Sequence, residues 1–224
     1  MSNKILINKG KNNFYYSCGK RIFDLVLAIL TLIAVSPILV AVALLVHVQL
    51  GRPVLFRQTR PGLHENIFTI FKFRTMINAL DTDGKLLPDT ERLTRLGYFL
   101  RKTSIDELPE LINVLKGDMS LVGPRPLFME YLPYYTSRER LRHTIRPGIT
   151  GLSQVNGRNY LQWDDRLEMD VQYVEKMSFF LDIKIIFKTI LSVLKTKDVA
   201  VVPGKVSAYL SDYRQQQKEN NLAD

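Results

Sequence analysis

The sequence has little cysteine and no recognisable metal-binding pattern. Cys18 is the single cysteine among 224 residues, so an internal disulfide cannot form. The three histidines, His47, His64 and His143, are scattered, and neither a CxxC nor an HExxH pattern occurs. These absences exclude a disulfide-stapled fold and argue against a structural zinc site.

Two common nucleotide-binding fingerprints are also missing. The chain contains no GxxxxGK[ST] phosphate loop and no GxGxxG motif, which argues against an ordinary nucleoside triphosphatase and a Rossmann enzyme. The charge is one-sided, because 31 Lys and Arg outnumber 22 Asp and Glu and give a formal net charge of +9. Such an excess suits nucleic acid, phospholipid headgroups or a phosphorylated substrate. No nucleic-acid-binding motif accompanies it, so we expect no nucleic-acid partner.

A long apolar run near the N-terminus contains no charged residue. It covers residues 25–46, LVLAILTLIAVSPILVAVALLV, and its 22 residues can cross a hydrocarbon core of about 30 Å as a helix. A buried helix of a soluble protein normally keeps a polar stripe, and a cleaved signal peptide is shorter and precedes a small-residue cleavage site. The run therefore predicts a membrane segment.

Two features of this run favour a re-entrant hairpin over simple spanning. The Ser36-Pro37 pair lies at its middle, where proline removes a backbone donor and kinks or breaks a helix. Both flanks are basic, with Lys20 and Arg21 before the run and Arg57 after it, whereas such residues favour the cytoplasmic side. A segment that turns at Ser36-Pro37 and leaves by the same face satisfies both ends. A proline-kinked spanning helix stays the alternative.

The rest of the chain predicts a mainly α fold with a few short β-strands, an α+β arrangement. Two strands, VLFRQ and IFTIFKFRTM, are expected on either side of an Arg60-Pro61-Gly62 turn. Helices are expected over residues 90–101, 103–116, 160–176 and 177–195. The last is amphipathic, which suits either packing on a core or lying in the membrane interface. The polar tail from Ser211 is expected to fray.

Two adjacent carboxylates, Asp106 and Glu107, stand at the clearest helix start of the chain. One interpretation is structural: Ser104 with Glu107 three residues later matches a capping box, and acids favour the positive end of a helix dipole. Pro109 disturbs that register, because proline fits best in the first turn, and it would move the cap toward Asp106. The local sequence leaves a capping role and a chemical role open.

Basic residues recur in stiff Gly/Pro loops around these acids. Arginine binds phosphate through two parallel hydrogen bonds, and glycine lets the backbone approach a ligand closely. A carboxylate beside such bases can hold Mg²⁺ together with substrate phosphates, or can attack phosphorus itself. A solvated charge run is the alternative for any one of them. The candidate phosphate ligands are Lys72, Arg74, Arg101, Arg125, Arg146 and Arg158.

Five motifs follow one another between about Lys20 and Pro203: KRIFDLVLA, SP at 36–37, FKFRTM, LRKTSIDELPELINVLKGDMSLVGPRP and RPGITGLSQVNGR. In this succession the chain resembles the small monotopic phosphoglycosyl transferases, bacterial enzymes that start glycan assembly on polyprenol phosphate. Larger members carry further N-terminal membrane helices, so the chain resembles their minimal catalytic unit. One departure is Leu152-Ser153 before Gln154, where relatives often have an aromatic residue and alanine.

The resemblance implies a UDP-sugar and undecaprenyl phosphate as substrates, Mg²⁺ as cofactor and membrane phospholipids as partners. Asp106, with Mg²⁺ bound to it, would attack the β-phosphate, expel UMP and hold the phosphosugar covalently until the lipid phosphate takes it. Glu107 would act as base for the lipid phosphate or as an organiser of Mg²⁺. Arg101 and Arg125 would bind phosphate, and the nucleotide end would be bound by Arg146, Gln154 and Arg158.

The implied organisation has four parts at the bacterial inner membrane. They are a cytoplasmic segment (1–21), a re-entrant helix-break-helix (22–50), a catalytic domain on the cytoplasmic face (51–203) and a polar tail (204–224). Two rivals remain: a single-step transferase whose acids only bind metal, and a non-catalytic membrane scaffold. The sequence identifies neither the sugar nor the glycan pathway, and the oligomeric state is open, with a homodimer as one option.

Overall fold

The computed structural model describes residues 15–157, 161–195 and 209–223, and in them helices predominate over a few short strands. The predicted fold class is confirmed at this level. The helices are α1 Lys20–Leu50, α2 Asp89–Arg92, α3 Arg95–Lys102, α4 Glu110–Lys116, α5 Leu152–Val155, α6 Trp163–Lys176, α7 Phe179–Leu194 and α8 Leu210–Ala223. The strands are β1 Leu55–Pro61, β2 Ile67–Phe73, β3 Ser120–Val122 and β4 Gly148–Thr150.

The apolar run forms most of α1, a helix of 31 residues that is about 46 Å long. Only 11% of its most apolar window is buried, whereas a core helix of a soluble protein would be mostly buried. Ile33 and Leu44, for example, are both exposed. Among the described residues α1 is the one helix long and apolar enough to cross a membrane, and this supports membrane association.

Helix α1 continues without interruption through Ser36 and Pro37. Pro37 cannot donate to the carbonyl of Ile33, but the Ser36 hydroxyl donates to that oxygen over 2.9 Å. The predicted break at this pair is therefore corrected: the hydroxyl supplies the missing donor, and helical structure persists across the proline. The re-entrant path stays a prediction.

Both halves of α1 pack against the rest of the protein. The first half contributes Ala28 to a core that includes residues of β2, β3 and α4. The second half contributes Val42 and Val46 to a separate cluster with Phe73 and Leu100. The segments on the two sides of Pro37 are thus tied to the same folded body.

A buried acid anchors the first half of α1. Asp24 accepts hydrogen bonds from the Ser120 hydroxyl over 2.7 Å and from the Leu121 amide over 3.2 Å. Lys20 pairs with Asp24 over 2.8 Å and with Asp182 of α7 over 2.9 Å. A buried carboxylate is stable only where its oxygens are paired, so these contacts fix α1 on β3 and α7.

Strands β1 and β2 form an antiparallel hairpin, as the alternating pattern predicts. Arg60 pairs with Phe68, and Phe56 pairs with Lys72. Side chains of directly paired residues share a face, and so do residues two apart along a strand. Arg60 and Lys72 therefore project from the same face of the ribbon.

The predicted Arg60-Pro61-Gly62 turn is corrected, because Arg60 and Pro61 belong to β1. The connection is longer and is closed by a hydrogen bond of 2.8 Å from the Gly62 amide to the Asn66 carbonyl. His64 adopts the left-handed region (φ 55°), which lets the chain reverse within this loop.

The predicted helix over residues 90–101 is two helices. Helix α2 ends at Arg92, and α3 begins after Thr94, whose hydroxyl accepts a hydrogen bond of 2.9 Å from the Gly97 amide. This N-cap starts a new helix within the predicted one. Gly97 packs directly on the chain, since an added Cβ would lie 1.9 Å from the carbonyl oxygen of Thr75.

Two short parallel strands bring the Gly/Pro loops together. Ser120 of β3 pairs with Gly148 of β4, and Val122 pairs with Thr150. A Cβ at Gly148 would lie 2.1 Å from the amide nitrogen of Gly123, so the GPRP and RPG loops approach each other more closely than side chains would allow.

Helix α7 covers most of the predicted amphipathic segment. One face buries Asp182 and Ile185 in the core, while Phe180, Phe187 and Leu194 are exposed. Both alternatives left open by the sequence therefore have support: one face packs on the core, and the exposed apolar face suits a membrane interface.

The tail expected to fray instead contains α8, and this prediction is corrected. Leu210 is fully buried in an aromatic cluster that includes Trp163, Tyr131 and Tyr135. Arg214 pairs with Glu139 and with Asp164 at 2.8 Å. The apolar face that docks is short and lies among polar residues, so the sequence pattern does not indicate it.

Candidate active site

The two adjacent acids lie on a short helical turn rather than inside a capped helix. Ser104 is left-handed (φ 58°), Ile105–Glu107 form one 3-10 turn, and α4 begins at Glu110. Ser104 makes no side-chain capping hydrogen bond, so the capping-box interpretation is wrong. Pro109 immediately precedes α4, and Gly117 ends it in the left-handed conformation (φ 92°), as expected of a cap glycine.

Glu107 is held by two cations. Its carboxylate accepts from Lys72 Nζ over 2.6 Å and from both terminal nitrogens of Arg125. Burial by itself would raise the pKa of Glu107, but the charges of Arg125 and Lys72 outweigh burial and hold the pKa well below its ordinary value. Glu107 is therefore a fixed anion that orients both bases.

Asp106 behaves in the opposite way. It is 8% exposed and makes no side-chain hydrogen bond or ion pair with the described part of the chain. Burial and the neighbouring charge of Glu107 raise the pKa of Asp106 to about 7, against the opposing charges of Lys72 and Arg101. No described cation contacts this carboxylate directly. Asp106 is therefore available to bind a metal ion or to attack an electrophile.

Glu110 is a third acid of the site that the sequence motif contains but that sequence reasoning left without a role. It is 1% exposed, and its Oε1 lies 3.1 Å from Lys72 Nζ without hydrogen-bond geometry. Burial raises the pKa of Glu110 to about 7, although Lys72 lowers it and Glu107 raises it further. Its position three residues after Glu107, within reach on a helical turn, was the available signal.

Three of the predicted phosphate ligands gather around the acids: Lys72, Arg125 and Arg101. Arg101 donates from Nε to the Thr75 hydroxyl over 3.1 Å, and its charge acts on Asp106. Burial lowers the pKa of Arg101, with Asp106 opposing that effect. Arg101 makes no direct ion pair with an acid of the described chain, so a phosphorylated ligand would find its terminal donors available.

The other predicted ligands have different contacts. Arg74 donates to the carbonyls of Met76 (3.0 Å) and Arg52 (3.1 Å). Arg146 donates to the Gly117 carbonyl over 2.8 Å at the end of α4, and Gln154 donates to the Ile149 carbonyl over 2.9 Å. Their substrate contacts stay predictions. Arg158 lies outside the described residues.

A buried ion pair that sequence reasoning missed supports the loop of Arg125. Arg142 donates to the Arg125 carbonyl over 2.7 Å and pairs with Asp170 of α6 over 2.8 Å. Ser153 donates to the other oxygen of Asp170 over 2.8 Å. Nothing in the local sequence distinguishes Arg142 from the surface bases beside it, because its depth depends on tertiary packing.

The acids fit a Mg²⁺ site completed by substrate. Mg²⁺ commonly binds through one or two carboxylates plus substrate phosphates. Among the described residues no group of three or more His, Cys, Asp or Glu side chains could hold a metal ion. Asp106 fits the substrate-assisted kind, because its carboxyl is unpaired while Glu107 is occupied by Lys72 and Arg125.

Together, an exposed apolar helix and an unpaired carboxylate among half-buried basic side chains are features expected of a membrane-associated enzyme that acts on phosphorylated substrates. The chain belongs to the bacterial sugar transferase family, whose model matches residues 15–196. The recognition made from the motifs is confirmed, and so is the prediction of a phosphoglycosyl transferase enzyme.

Several relatives share most of the matched region. The uncharacterized sugar transferase EpsL of Bacillus subtilis (strain 168) is 53% identical over 180 residues, which are 80% of this chain and 89% of that protein. A UDP-glucose:undecaprenyl-phosphate glucose-1-phosphate transferase of Caulobacter vibrioides is 41% identical over 192 residues, 79% of this chain and 70% of the relative. The Escherichia coli (strain K12) protein of the same name is 41% identical over 182 residues, which are 76% of this chain but only 39% of that longer protein.

Proposed function

We propose that the protein transfers a phosphosugar from a UDP-sugar to undecaprenyl phosphate, giving undecaprenyl diphosphate-sugar and UMP. The observation that carries the proposal is the unpaired, buried carboxyl of Asp106 beside Lys72, Arg101 and Arg125. The Caulobacter and Escherichia coli relatives, named for a reaction of this type, support it.

Asp106 is the proposed nucleophile of a two-step reaction. Its carboxylate oxygen attacks the β-phosphorus of the UDP-sugar, the bond to the bridging oxygen breaks, and UMP leaves with that electron pair. The phosphate oxygen of undecaprenyl phosphate then attacks the same phosphorus and releases Asp106. Desolvation favours the first step, because a carboxylate without hydrogen-bond partners keeps its lone pairs available.

Glu107 has the role of an organiser in this proposal. A carboxylate whose pKa is far below its ordinary value is a poor proton acceptor, which disfavours the alternative in which Glu107 is the base. Its ion pairs orient Lys72 and Arg125 toward the phosphates. These preorganised donors stabilise the charge that develops on the transferred phosphoryl group.

Mg²⁺ is proposed as the cofactor, with Asp106 as its protein ligand. The ion would supply charge neutralisation for the diphosphate when bound. The proposal has its own test: EDTA should abolish UMP release and added Mg²⁺ should restore it, whereas full activity in EDTA would rule the metal out.

The membrane setting completes the proposal. We propose a monotopic enzyme whose helix α1, bent at Pro37 without losing its helical structure, enters and leaves by the cytoplasmic face of the bacterial inner membrane. The packing of both halves of α1 on one body supports this path, because a spanning helix would separate its ends by the bilayer. The water-soluble nucleotide and the lipid phosphate would then meet at the same face.

Intact-mass measurement tests the covalent step. Incubation with a UDP-sugar alone should add one phosphosugar to the wild-type chain and release UMP. Asp106→Asn should give neither product. Asp83→Asn, an exposed aspartate in the loop before α2, is the matched control and should behave as wild type. Full turnover by Asp106→Asn would refute the assignment.

The same experiment separates the rivals. UMP release only when UDP-sugar and undecaprenyl phosphate are both present, without an adduct, would favour the single-step transferase. No UMP release with any of a panel of UDP-sugars would favour the scaffold. The panel also identifies the sugar, which the site residues leave open.

A further inference from the structure

A third arginine lies beside the site, in addition to Arg101 and Arg125, and has no defined role. Arg60, near the end of β1, stacks on the ring of Phe128, with its guanidinium carbon 3.9 Å from the ring centroid. Nη2 donates to the Gln58 side chain over 2.6 Å. Phe128 follows the GPRP loop, so this stack joins the hairpin to the segment that carries Arg125. The guanidinium plane is thereby fixed before any ligand arrives.

Arg60 has no direct carboxylate partner in the described part of the chain. Its Nε is buried without a hydrogen bond, and Nη1 is neither buried nor bonded to another described group. Burial and the charge of Arg125 lower the pKa of Arg60 to about 10, while Glu110 and Glu130 act only at a distance. Two partly buried arginines near each other, one of them unpaired, are stabilised by an anion that bonds both.

The position of Arg60 indicates which anion it would bind. Lys72 bonds Glu107, the neighbour of Asp106, and projects from the same face of the hairpin as Arg60, which lies farther along the ribbon. Arg125 also bonds Glu107, and Phe128, three residues later, stacks on Arg60, so this segment leads from the acids to Arg60. In an in-line displacement the leaving group departs opposite the nucleophile. A diphosphate attacked by Asp106 would extend its nucleotide side past Arg125 toward Arg60.

We propose that Arg60, held on Phe128, binds the phosphate of the UMP moiety, so that it recognises the nucleotide side of the UDP-sugar and the leaving group. This inference rests on the proposed function. It assigns the far end of the hairpin to the nucleotide, while Lys72, on the same face about 13 Å along the strand, serves the reacting phosphate.

UMP binding by titration calorimetry tests the assignment without catalysis. Arg60→Gln should weaken UMP binding about tenfold or more, because a charge-assisted contact is lost. Arg60→Lys keeps the charge but loses the fork and the flat stack, and should fall between Arg60→Gln and wild type. Arg57→Gln is the matched control, because Arg57 is exposed and lies on the opposite face of the same strand. The UMP affinity of Arg57→Gln should stay within about twofold of the wild-type value.

Steady-state kinetics supply the second readout. Arg60→Lys, the milder change, should raise KM for the UDP-sugar and the inhibition constant of UMP together. Transfer from a preformed phosphosugar adduct to the lipid phosphate should be unchanged, which a mere folding defect would not produce. Unchanged UMP affinity in both Arg60 variants, or weaker binding of a sugar 1-phosphate with normal UMP binding, would overturn the inference. Wild-type UMP binding without phosphosugar transfer would instead reject the proposed function.

Discussion

At the scale of single residues, two neighbouring carboxyl groups have opposite titration behaviour. Asp106 has a raised pKa because it is buried without a partner, whereas Glu107 is held as an anion by Arg125 and Lys72. The sequence motif alone cannot assign these unequal roles, since both acids are equally close to the basic loops along the chain.

The first prediction concerns the pH dependence of adduct formation. A nucleophilic carboxylate must be ionised, so the rate should rise with pH through about 7, the pKa of Asp106. Mg²⁺ favours the ionised form, and saturating Mg²⁺ should move the midpoint to lower pH. Rapid-quench measurement of UMP release from about pH 5.5 to 8.5 checks both effects. A rate independent of pH in subsaturating Mg²⁺ would contradict the nucleophile assignment.

A second prediction concerns Glu110. Its pKa is about 7 in the folded protein and ordinarily 4.5, so its protonated form stabilises the fold at low pH. That stability is fully present below about pH 4.5 and is lost as the pH rises through about 7. Glu110→Gln has no ionisable group at this position and therefore should not lose this stability as the pH rises. Its Tm should match wild type near pH 5 and exceed it by a few degrees at about pH 8.

Exposed Glu91 provides the control for this experiment. Glu91→Gln should leave Tm unchanged at both pH values. If Glu110→Gln lowers Tm at about pH 8, Glu110 is a required partner of Lys72 rather than a costly buried acid.

The identity of the site residues was only partly predictable. Lys72, Arg101 and Arg125 were predicted as phosphate ligands, and they do surround the acids, although only Arg125 lies in a Gly/Pro loop while Lys72 is on β2 and Arg101 on α3. Arg74 and Arg146 have the same sequence context but bond backbone carbonyls. Arginine donates hydrogen bonds to phosphates and to carbonyls equally well. Its burial and tertiary position therefore determine which of the two it binds, and neither is visible in a single sequence.

At the scale of elements, segments with strong hydrophobic periodicity were predicted well, whereas elements within polar sequence were missed. The membrane helix, the hairpin and α7 follow from long apolar or alternating runs. The interruption at Thr94 and the docking of α8 depend on single contacts, a cap and one buried leucine, that no periodic pattern reveals.

Helix α8 provides the third prediction. Leu210→Ala removes a fully buried side chain and should weaken docking of the helix by about 2–5 kcal/mol. Limited proteolysis should then cleave residues 209–223 faster than in wild type. Tyr209→Ala changes the adjacent, 64% exposed residue and should cleave as wild type does. Equal cleavage of the Leu210→Ala and wild-type proteins would mean that α8 does not dock in solution.

At the scale of the whole molecule, the path of α1 determines which compartment holds the site. Cys18 is exposed just before the helix, and Thr59 is exposed in β1, the strand that follows it. The native cysteine can therefore report one end, and Thr59→Cys in a Cys18→Ser background can report the other. A membrane-impermeant maleimide should label both proteins in inverted vesicles and neither in intact cells. Labelling from opposite sides would establish a spanning helix.

The attachment of α1 at both halves has a practical consequence for protein production. Deleting the apolar segment would not yield a soluble catalytic domain, because two clusters would lose Ala28, Val42 and Val46 at once. The Ser120 hydroxyl and the Leu121 amide would also lose Asp24 as their acceptor. The helix therefore forms part of the core of the folded domain and does not serve only for membrane attachment. Purification must therefore replace the lipid around it, with detergent or nanodisc, rather than remove the helix.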